Sequence, residues 1–200
     1  MAKTDIKKAF RVVPLCPEDY CLFCFEWNGQ FCFDKCLPMG CSSSCKIFET
    51  FSTAIQWMAH HKQGVQHMTH ILDHFFIISP TVSQCQNDLL KFLNMCSDIN
   101  VPMAPEKTNG PATVINFMGY EIDSILSEVR LPQDKLDKCT EAISSLLEGS
   151  KITLRKLLSV IGLLNFACAV VVPGRAFLRC LIDLMAVSYT HLTLPTMSPV

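Results

Sequence analysis

The chain has almost no surplus charge: 17 Lys and Arg against 18 Asp and Glu leave a formal net charge of -1. That denies it the basic excess with which a free-standing nucleic-acid-binding domain meets phosphate, so either its ligand is not a nucleic acid or the basic part lies elsewhere. No apolar h-region follows Met1-Ala2-Lys3-Thr4-Asp5-Ile6-Lys7-Lys8. A secretory signal is therefore not read, and an intracellular chain, cytoplasmic or nuclear, is expected. Internal repeats and low-complexity tracts are absent, which excludes solenoid and disordered classes. Long apolar runs are scarce as well. The longest, Leu157 to Pro173, is about 17 residues, at the short limit for a bilayer span, and it holds Ser159 and Asn165. It reads as a buried helix, and no membrane partner is expected.

What is present is a globular composition, 200 residues with 50% hydrophobic and 18% charged, enough for one domain or one domain with an appendage. The 12 cysteines of a chain without a secretory signal are expected to be free thiols, most of them acting as small buried apolar groups. Cys21, Cys24, Cys32, Cys36, Cys41 and Cys45 superficially match zinc-ribbon spacing. Against that, Cys21 to Trp27 reads as a strand, in which residues three apart point to opposite faces, and the Gly-bearing turn of a zinc knuckle is missing. A thiol-rich zinc protein is thus the weaker rival, separable by metal content after purification.

Along the chain the pattern is α+β. Strands are expected at Ala2 to Ile6, Cys21 to Trp27 and Gln30 to Cys36, the last two joined by Asn28-Gly29, a hairpin signal because both residues accept positive φ. Ser42 to His61 carries a helical period, with Ser42 or Ser43 as cap. A hairpin centred on Asp73-His74 follows, then a helix from Thr81 to Cys96 and short strands near Val101 to Ala104, Val114 to Ile122 and Glu128 to Leu131. After Pro132 the character turns helical: Asp134 to Leu147 stopping at Gly149, Thr153 to Val171, and Arg175 to Met185. Residues 187–200 show no clear period and read as translated adaptor or vector sequence outside the domain.

Chemistry concentrates at two acids. Asp5 closes an apolar strand, and Asp73 sits at the tip of Thr69-His70-Ile71-Leu72-Asp73-His74-Phe75-Phe76-Ile77-Ile78. Nucleotidyl transfer uses two divalent ions about 3.5–4 Å apart, so its carboxylates must converge from separate segments. Asp5 and Asp73 could supply the bridging ligands if their strands lie side by side, and hard oxygen donors suit Mg²⁺. Taken singly, each acid reads equally as a turn former.

Placed together with neighbouring segments, these acids resemble motifs A and C of a reverse transcriptase. Asp5 to Phe10 matches the motif A order of Asp, three residues, Ala and aromatic. The resemblance implies that Phe10 is a steric gate favouring deoxynucleotides. Leu37-Pro38-Met39-Gly40-Cys41-Ser42-Ser43-Ser44 resembles motif B, implying that Met39 and Gly40 line the nucleotide site. Ala104-Pro105-Glu106-Lys107-Thr108 resembles motif D, where the Lys (here Lys107) assists proton transfer to pyrophosphate. Phe117, Met118, Gly119 and Tyr120 resemble the primer-grip hairpin. The helical tail, with Leu163-Leu164-Asn165-Phe166-Ala167 and Pro173-Gly174-Arg175, resembles the thumb or connection of long-terminal-repeat and tyrosine-recombinase (DIRS-like) retrotransposons, most closely the latter.

The resemblance therefore implies a palm over 1–131 (motifs A to E), a thumb or connection over 132–186, and an RNA-directed DNA polymerase. It would use Mg²⁺ or Mn²⁺ bound by Asp5 and Asp73, an RNA template, a DNA primer and deoxynucleoside triphosphates. Ribonuclease H would belong to the parent polyprotein. Two departures qualify activity. The second motif C acid is replaced by His74, which removes a negative charge beside the cations. The match also begins at motif A, so the family's fingers would precede Met1, in keeping with the neutral charge. As an isolated chain it is expected to be inactive, the alternative being a palm kept as a non-catalytic nucleic-acid or protein interaction module. The oligomeric state is not legible.

Overall fold

The computed structural model of the chain describes residues 1–147 and 153–193, with side chains to residue 186. The described residues form β1 (Ala2–Asp5), β2 (Cys24–Trp27), β3 (Gln30–Phe33), α1 (Ser44–Gln63), β4 (Met68–Ile71), β5 (His74–Ile77), α2 (Val82–Asp98), β6 (Val114–Phe117), β7 (Tyr120–Asp123), β8 (Glu128–Arg130), α3 (Gln133–Leu147), α4 (Leu154–Ala167) and α5 (Gly174–Thr193). They make an α+β fold of three small sheets with packed helices, ordered β1-β5-β4, β2-β3 and β6-β7-β8. Contacts divide the chain into two compact units, the first Met1–Phe117 with Asp123–Ile125 and the second Met118–Ile122 with the residues from Leu126 onward.

In the first unit the core is built where helical and strand periods meet. Helix α1 buries Phe48, Ser52, Ile55 and Ala59, spaced by three or four residues, so they form one stripe. Helix α2 buries Cys85, Leu89, Phe92 and Cys96 in the same way. Against these stripes β5 packs Phe75 and Ile77, while Phe76 on its opposite face is also buried, as on a central strand covered on both faces. Phe75 is 0% exposed, and its ring lies 5.0 Å from that of Phe92. Burial of Cys96 pushes its thiol up to about 12, so this cysteine is an inert core group. The expectation that most cysteines are buried is corrected: Cys85, Cys96, Cys139 and Cys168 are, whereas Cys16, Cys21, Cys24, Cys45 and Cys180 are exposed.

Several elements differ from the sequence reading. Cys21 to Phe23 belong to a 3-10 helix, Pro17–Phe23, rather than to a strand. Pro17 presets its first turn, and no partner strand pairs there. The Asn28-Gly29 turn holds, with φ of 50° and 74°. Ser43 occupies the N-cap of α1 without a side-chain capping bond; instead the Ser44 hydroxyl donates to the Pro38 carbonyl at 2.7 Å. Thr81 caps α2 by accepting from the Gln84 N–H at 3.2 Å. No strand forms over 101–104: Pro102 and Pro105 deprive the segment of donors, leaving one bridge, Ile6 to Met103.

The second unit is mostly helical. Helix α4 ends at Ala167, four residues short of the expected Val171, and the chain continues through hydrogen-bonded turns in which the Val171 N–H donates to the Ala167 carbonyl at 2.9 Å. Helix α5 runs on to Thr193, through part of the stretch read as lying outside the domain; a helix already nucleated propagates at little cost. The helix stop expected at Gly149 and the tail beyond Thr193 lie outside the described residues. Among the described residues no helix is long and apolar enough to cross a membrane.

Candidate metal and nucleotide site

Sheet register brings the two acids together. Strand β1 pairs antiparallel with β5, matching Asp5 to His74, and β4 pairs with β5, matching Ile71 to His74. The Leu72-Asp73 turn therefore lies beside the end of β1, and the Ile6 N–H donates to the Asp73 carbonyl at 3.0 Å. The result is a cluster in which Asp5, Asp73 and His74 each offer one ligand atom, all within 4.8 Å of one another. It is the one such cluster of three or more ligating side chains among the described residues, and it includes no cysteine.

The electrostatics of the cluster are closed from within. The Asp5 side chain is only 8% exposed, and a buried carboxylate needs partners. His74 Nδ1 lies 2.9 Å from Asp5 Oδ1, and its Nε2 lies 3.9 Å from Asp73 Oδ1. Lys107 Nζ lies 3.2 Å from Asp5 Oδ2. Its hydrogen bond to Asp5, and then the Asp5 charge, hold the Lys107 ammonium above its ordinary value, so it stays charged through neutral pH. Lys107 arrives there because its loop is clipped to β1: Ala104 N–H donates to the Asp5 carbonyl at 2.8 Å, and Lys3 and Asn109 exchange backbone bonds at 2.8 and 2.9 Å. Thr4 and Thr108 hydroxyls meet at 2.7 Å beneath them.

Two carboxylates and one imidazole fit a single divalent cation in charge and reach. Asp5 and Asp73 provide the hard oxygens that suit Mg²⁺ or Mn²⁺, while a nitrogen at His74 is better tolerated by the transition ion. Among the described residues no further carboxylate joins this cluster to balance a second cation. An ion binding here must compete with His74 and Lys107 for Asp5.

The other expected site residues fall in three places. Phe10 is partly buried and rests its ring 5.2 Å from Phe48 of α1. Met39 is exposed. Gly40 has φ of +91° with nothing within 4 Å of a built Cβ, so the backbone conformation requires glycine and the space beside it is open. Next to it, hydrogen bonds from the Ser43 side chain and backbone lower the Cys41 thiol below its ordinary value.

The hairpin Phe117, Met118, Gly119, Tyr120 turns through φ of 51° at Met118 and 82° at Gly119. Phe117 stacks on Phe76 of β5 at 4.8 Å. In the second unit Tyr120 stacks on Phe166 at 4.5 Å and donates its hydroxyl to the Phe166 carbonyl at 3.0 Å. A Cβ at Gly119 would stand 2.9 Å from Phe166 Cζ. Gly119→Ala is therefore expected to cost about 1–3 kcal/mol, from positive φ and this contact together. Thermal unfolding followed by circular dichroism checks it, and an unchanged Tm would contradict the packing described.

Sequence reasoning missed one group that touches the site. Glu49 of α1 accepts the Leu72 N–H at 2.8 Å through Oε2, and its Oε1 lies 3.3 Å from His70 Nε2. His70 Nδ1 bonds to Gln56 Oε1, and Gln56 Nε2 donates to the Met68 carbonyl at 2.7 Å. The available signal was a polar stripe, Glu49, Thr53 and Gln56, at i, i+4 and i+7 beside the apolar stripe of α1.

Comparisons with known proteins show the family and the fold. The family model described as reverse transcriptase (RNA-dependent DNA polymerase) matches residues 1–122. The Pro-Pol polyprotein of feline foamy virus is 26% identical over 164 residues, covering 82% of this chain but 13% of the polyprotein. A foamy viral protease-reverse transcriptase in complex with an RNA/DNA hybrid superposes with a TM-score of 0.70 at 19% identity, over 90% of this chain and 24% of that one. The same kind of enzyme in complex with double-stranded DNA gives 0.69 at 20% identity, over 83% and 32%. The structural likenesses establish a shared fold, and the chain spans under a third of each protein it resembles. With the family model covering more than half of its length, and with acids from two separate segments meeting at one hairpin, the chain belongs to the reverse transcriptase (RNA-dependent DNA polymerase) family.

Proposed function

We propose that this chain is the palm and thumb of a retrotransposon reverse transcriptase whose polymerase site is held in a closed, impaired state by His74. The observation that carries the reading is the convergence of Asp5 and Asp73 within one 4.8 Å cluster, with His74 in contact with Asp5. Residues 1–131 are the palm and residues 132–186 the thumb or connection. Placement within the tyrosine-recombinase (DIRS-like) group rests on Leu37-Pro38-Met39-Gly40, Ala104-Pro105-Glu106-Lys107-Thr108 and Leu163-Leu164-Asn165-Phe166-Ala167.

The chain's residues divide the work. Asp5 and Asp73 would hold Mg²⁺ or Mn²⁺, and divalent ions at such carboxylates would supply the chemistry of two-metal nucleotidyl transfer, activation of the primer hydroxyl and neutralisation of the triphosphate. Phe10, braced by Phe48, excludes a ribose 2′-hydroxyl and so selects deoxynucleoside triphosphates. Met39 and the open face at Gly40 border the nucleotide. Lys107, charged and clipped beside Asp5, is placed to give a proton to the leaving pyrophosphate. The turn of Phe117, Met118, Gly119 and Tyr120 positions the primer strand on an RNA template.

Deoxynucleotide incorporation on an RNA template with a DNA primer tests the reading. Little or none is expected from the unaltered chain in Mg²⁺, and His74→Asp is expected to raise it unless Asp5→Asn is also present. Retention of duplex binding with no incorporation in any variant would instead favour the non-catalytic interaction module.

A further inference from the structure

We infer that Glu49 is a positioning residue for the metal-ligating turn, acting through the backbone of Leu72; the inference rests on the reading of Asp73 as a metal ligand. Leu72 has φ of +52°, a left-handed conformation that a side-chain-bearing residue adopts only at a cost. Nothing in the turn's own residues favours it, since Leu is not among the types that tolerate this region. What favours it is outside the turn: in this conformation the Leu72 N–H points at Glu49 Oε2, 2.8 Å away on α1. A charge-assisted bond of this kind is about twice as strong as a neutral one.

Glu49 is in turn fixed. Its second oxygen faces His70 Nε2 at 3.3 Å, and the His70 side chain is only 7% exposed. The His70 ring is held by Gln56 and lies 5.6 Å from the ring of Phe75. Gln56 also grips the Met68 carbonyl. Two side chains of one helix, Glu49 and Gln56, thus hold the strand before the turn and the turn itself, and Asp73 is the next residue along. Releasing Leu72 N–H frees the turn to relax toward ordinary backbone and swings the Asp73 carboxylate away from Asp5.

The test uses the full chain, with Mn²⁺ affinity read by electron paramagnetic resonance and amide hydrogen exchange read at Leu72. Glu49→Ala is expected to weaken Mn²⁺ binding about tenfold, the range seen when an outer partner of a metal ligand is lost. It is also expected to speed Leu72 exchange, with the fold retained because Glu49 is a partly exposed helix residue. Glu49→Gln keeps an acceptor for Leu72 N–H and a group facing His70, and should restore both readouts to near the unaltered values. Leu72→Asn, which tolerates the left-handed region, should lessen the Glu49→Ala defect in metal affinity. Unchanged Leu72 exchange in Glu49→Ala, or equal loss in Glu49→Gln, would overturn the inference. If the unaltered chain and Asp73→Asn bind Mn²⁺ equally, the metal reading fails, while Leu72 exchange still decides whether Glu49 fixes the turn.

Discussion

His74→Asp is expected to bind Mn²⁺ at least about tenfold more tightly than the unaltered chain and to gain roughly a hundredfold in Mg²⁺-dependent deoxynucleotide incorporation. The effect is electrostatic. At present Asp5 has His74 Nδ1 on one oxygen at 2.9 Å and Lys107 on the other at 3.2 Å, so an incoming cation must displace a partner from a carboxylate that is scarcely exposed. An acid at position 74 removes one competitor and adds a negative charge beside the same ligands. The predicted cost is equally specific. Without metal, three carboxylates face each other and Asp5 loses its contact with His74, so the metal-free variant should be less stable by about 2 kcal/mol. Saturating Mn²⁺ should return about that amount, since binding at a hundred times Kd stabilises by about 2.7 kcal/mol. Thermal unfolding with and without Mn²⁺, alongside the incorporation assay, checks both signs. A variant as stable as the parent without metal would show that the His74 contact to Asp5 carries no weight.

Phe75→Ala is expected to be the most damaging change to the fold beneath the site. Phe75 is fully buried on the central strand of the three-stranded sheet, follows His74 directly, and packs between the His70 and Phe92 rings at 5.6 and 5.0 Å. Truncating a buried Phe costs about 3–5 kcal/mol, the removed contacts plus the cavity they leave. In a chain of this size that corresponds to a fall in Tm of about 10 °C. Phe75→Leu, which keeps most of the volume, should lose less than half as much. The two Tm values decide it, and equal losses would mean that ring packing rather than volume holds the strand.

The sequence was most informative where local chemistry and function coincide. Asp73 is legible because two apolar runs flank an acid at a tight turn, and α1 and α2 are legible from their buried stripes. What made the site could not be read locally. Nothing near Asp5 says that β1 lies against β5 rather than β4, and that choice alone brings Asp5 to His74. Lys107 reaches Asp5 through backbone bonds from Ala104 and Asn109, which leave no mark on composition. Glu49 was hidden for the opposite reason: a polar stripe on a helix looks like a solvated face until the hairpin is laid upon it. Local rules also over-extended strands. Cys21 to Phe23 have strand-like residues but no partner strand, and the prolines around Met103 leave too few donors for a ladder. In α5, read as a helix over Arg175 to Met185, periodicity failed to show the continuation that propagation carries to Thr193.

The central claim is that Asp5 and Asp73, from separate strands, hold one divalent cation between them. Mn²⁺ titration followed by electron paramagnetic resonance, on the unaltered chain, Asp5→Asn and Asp73→Asn, tests it most directly. The account predicts one site in the unaltered chain, weakened about tenfold or more by either substitution, with a double variant little worse than each single one because both act on the same ion. Binding unaffected by either substitution, in variants whose circular dichroism matches the parent, would contradict it.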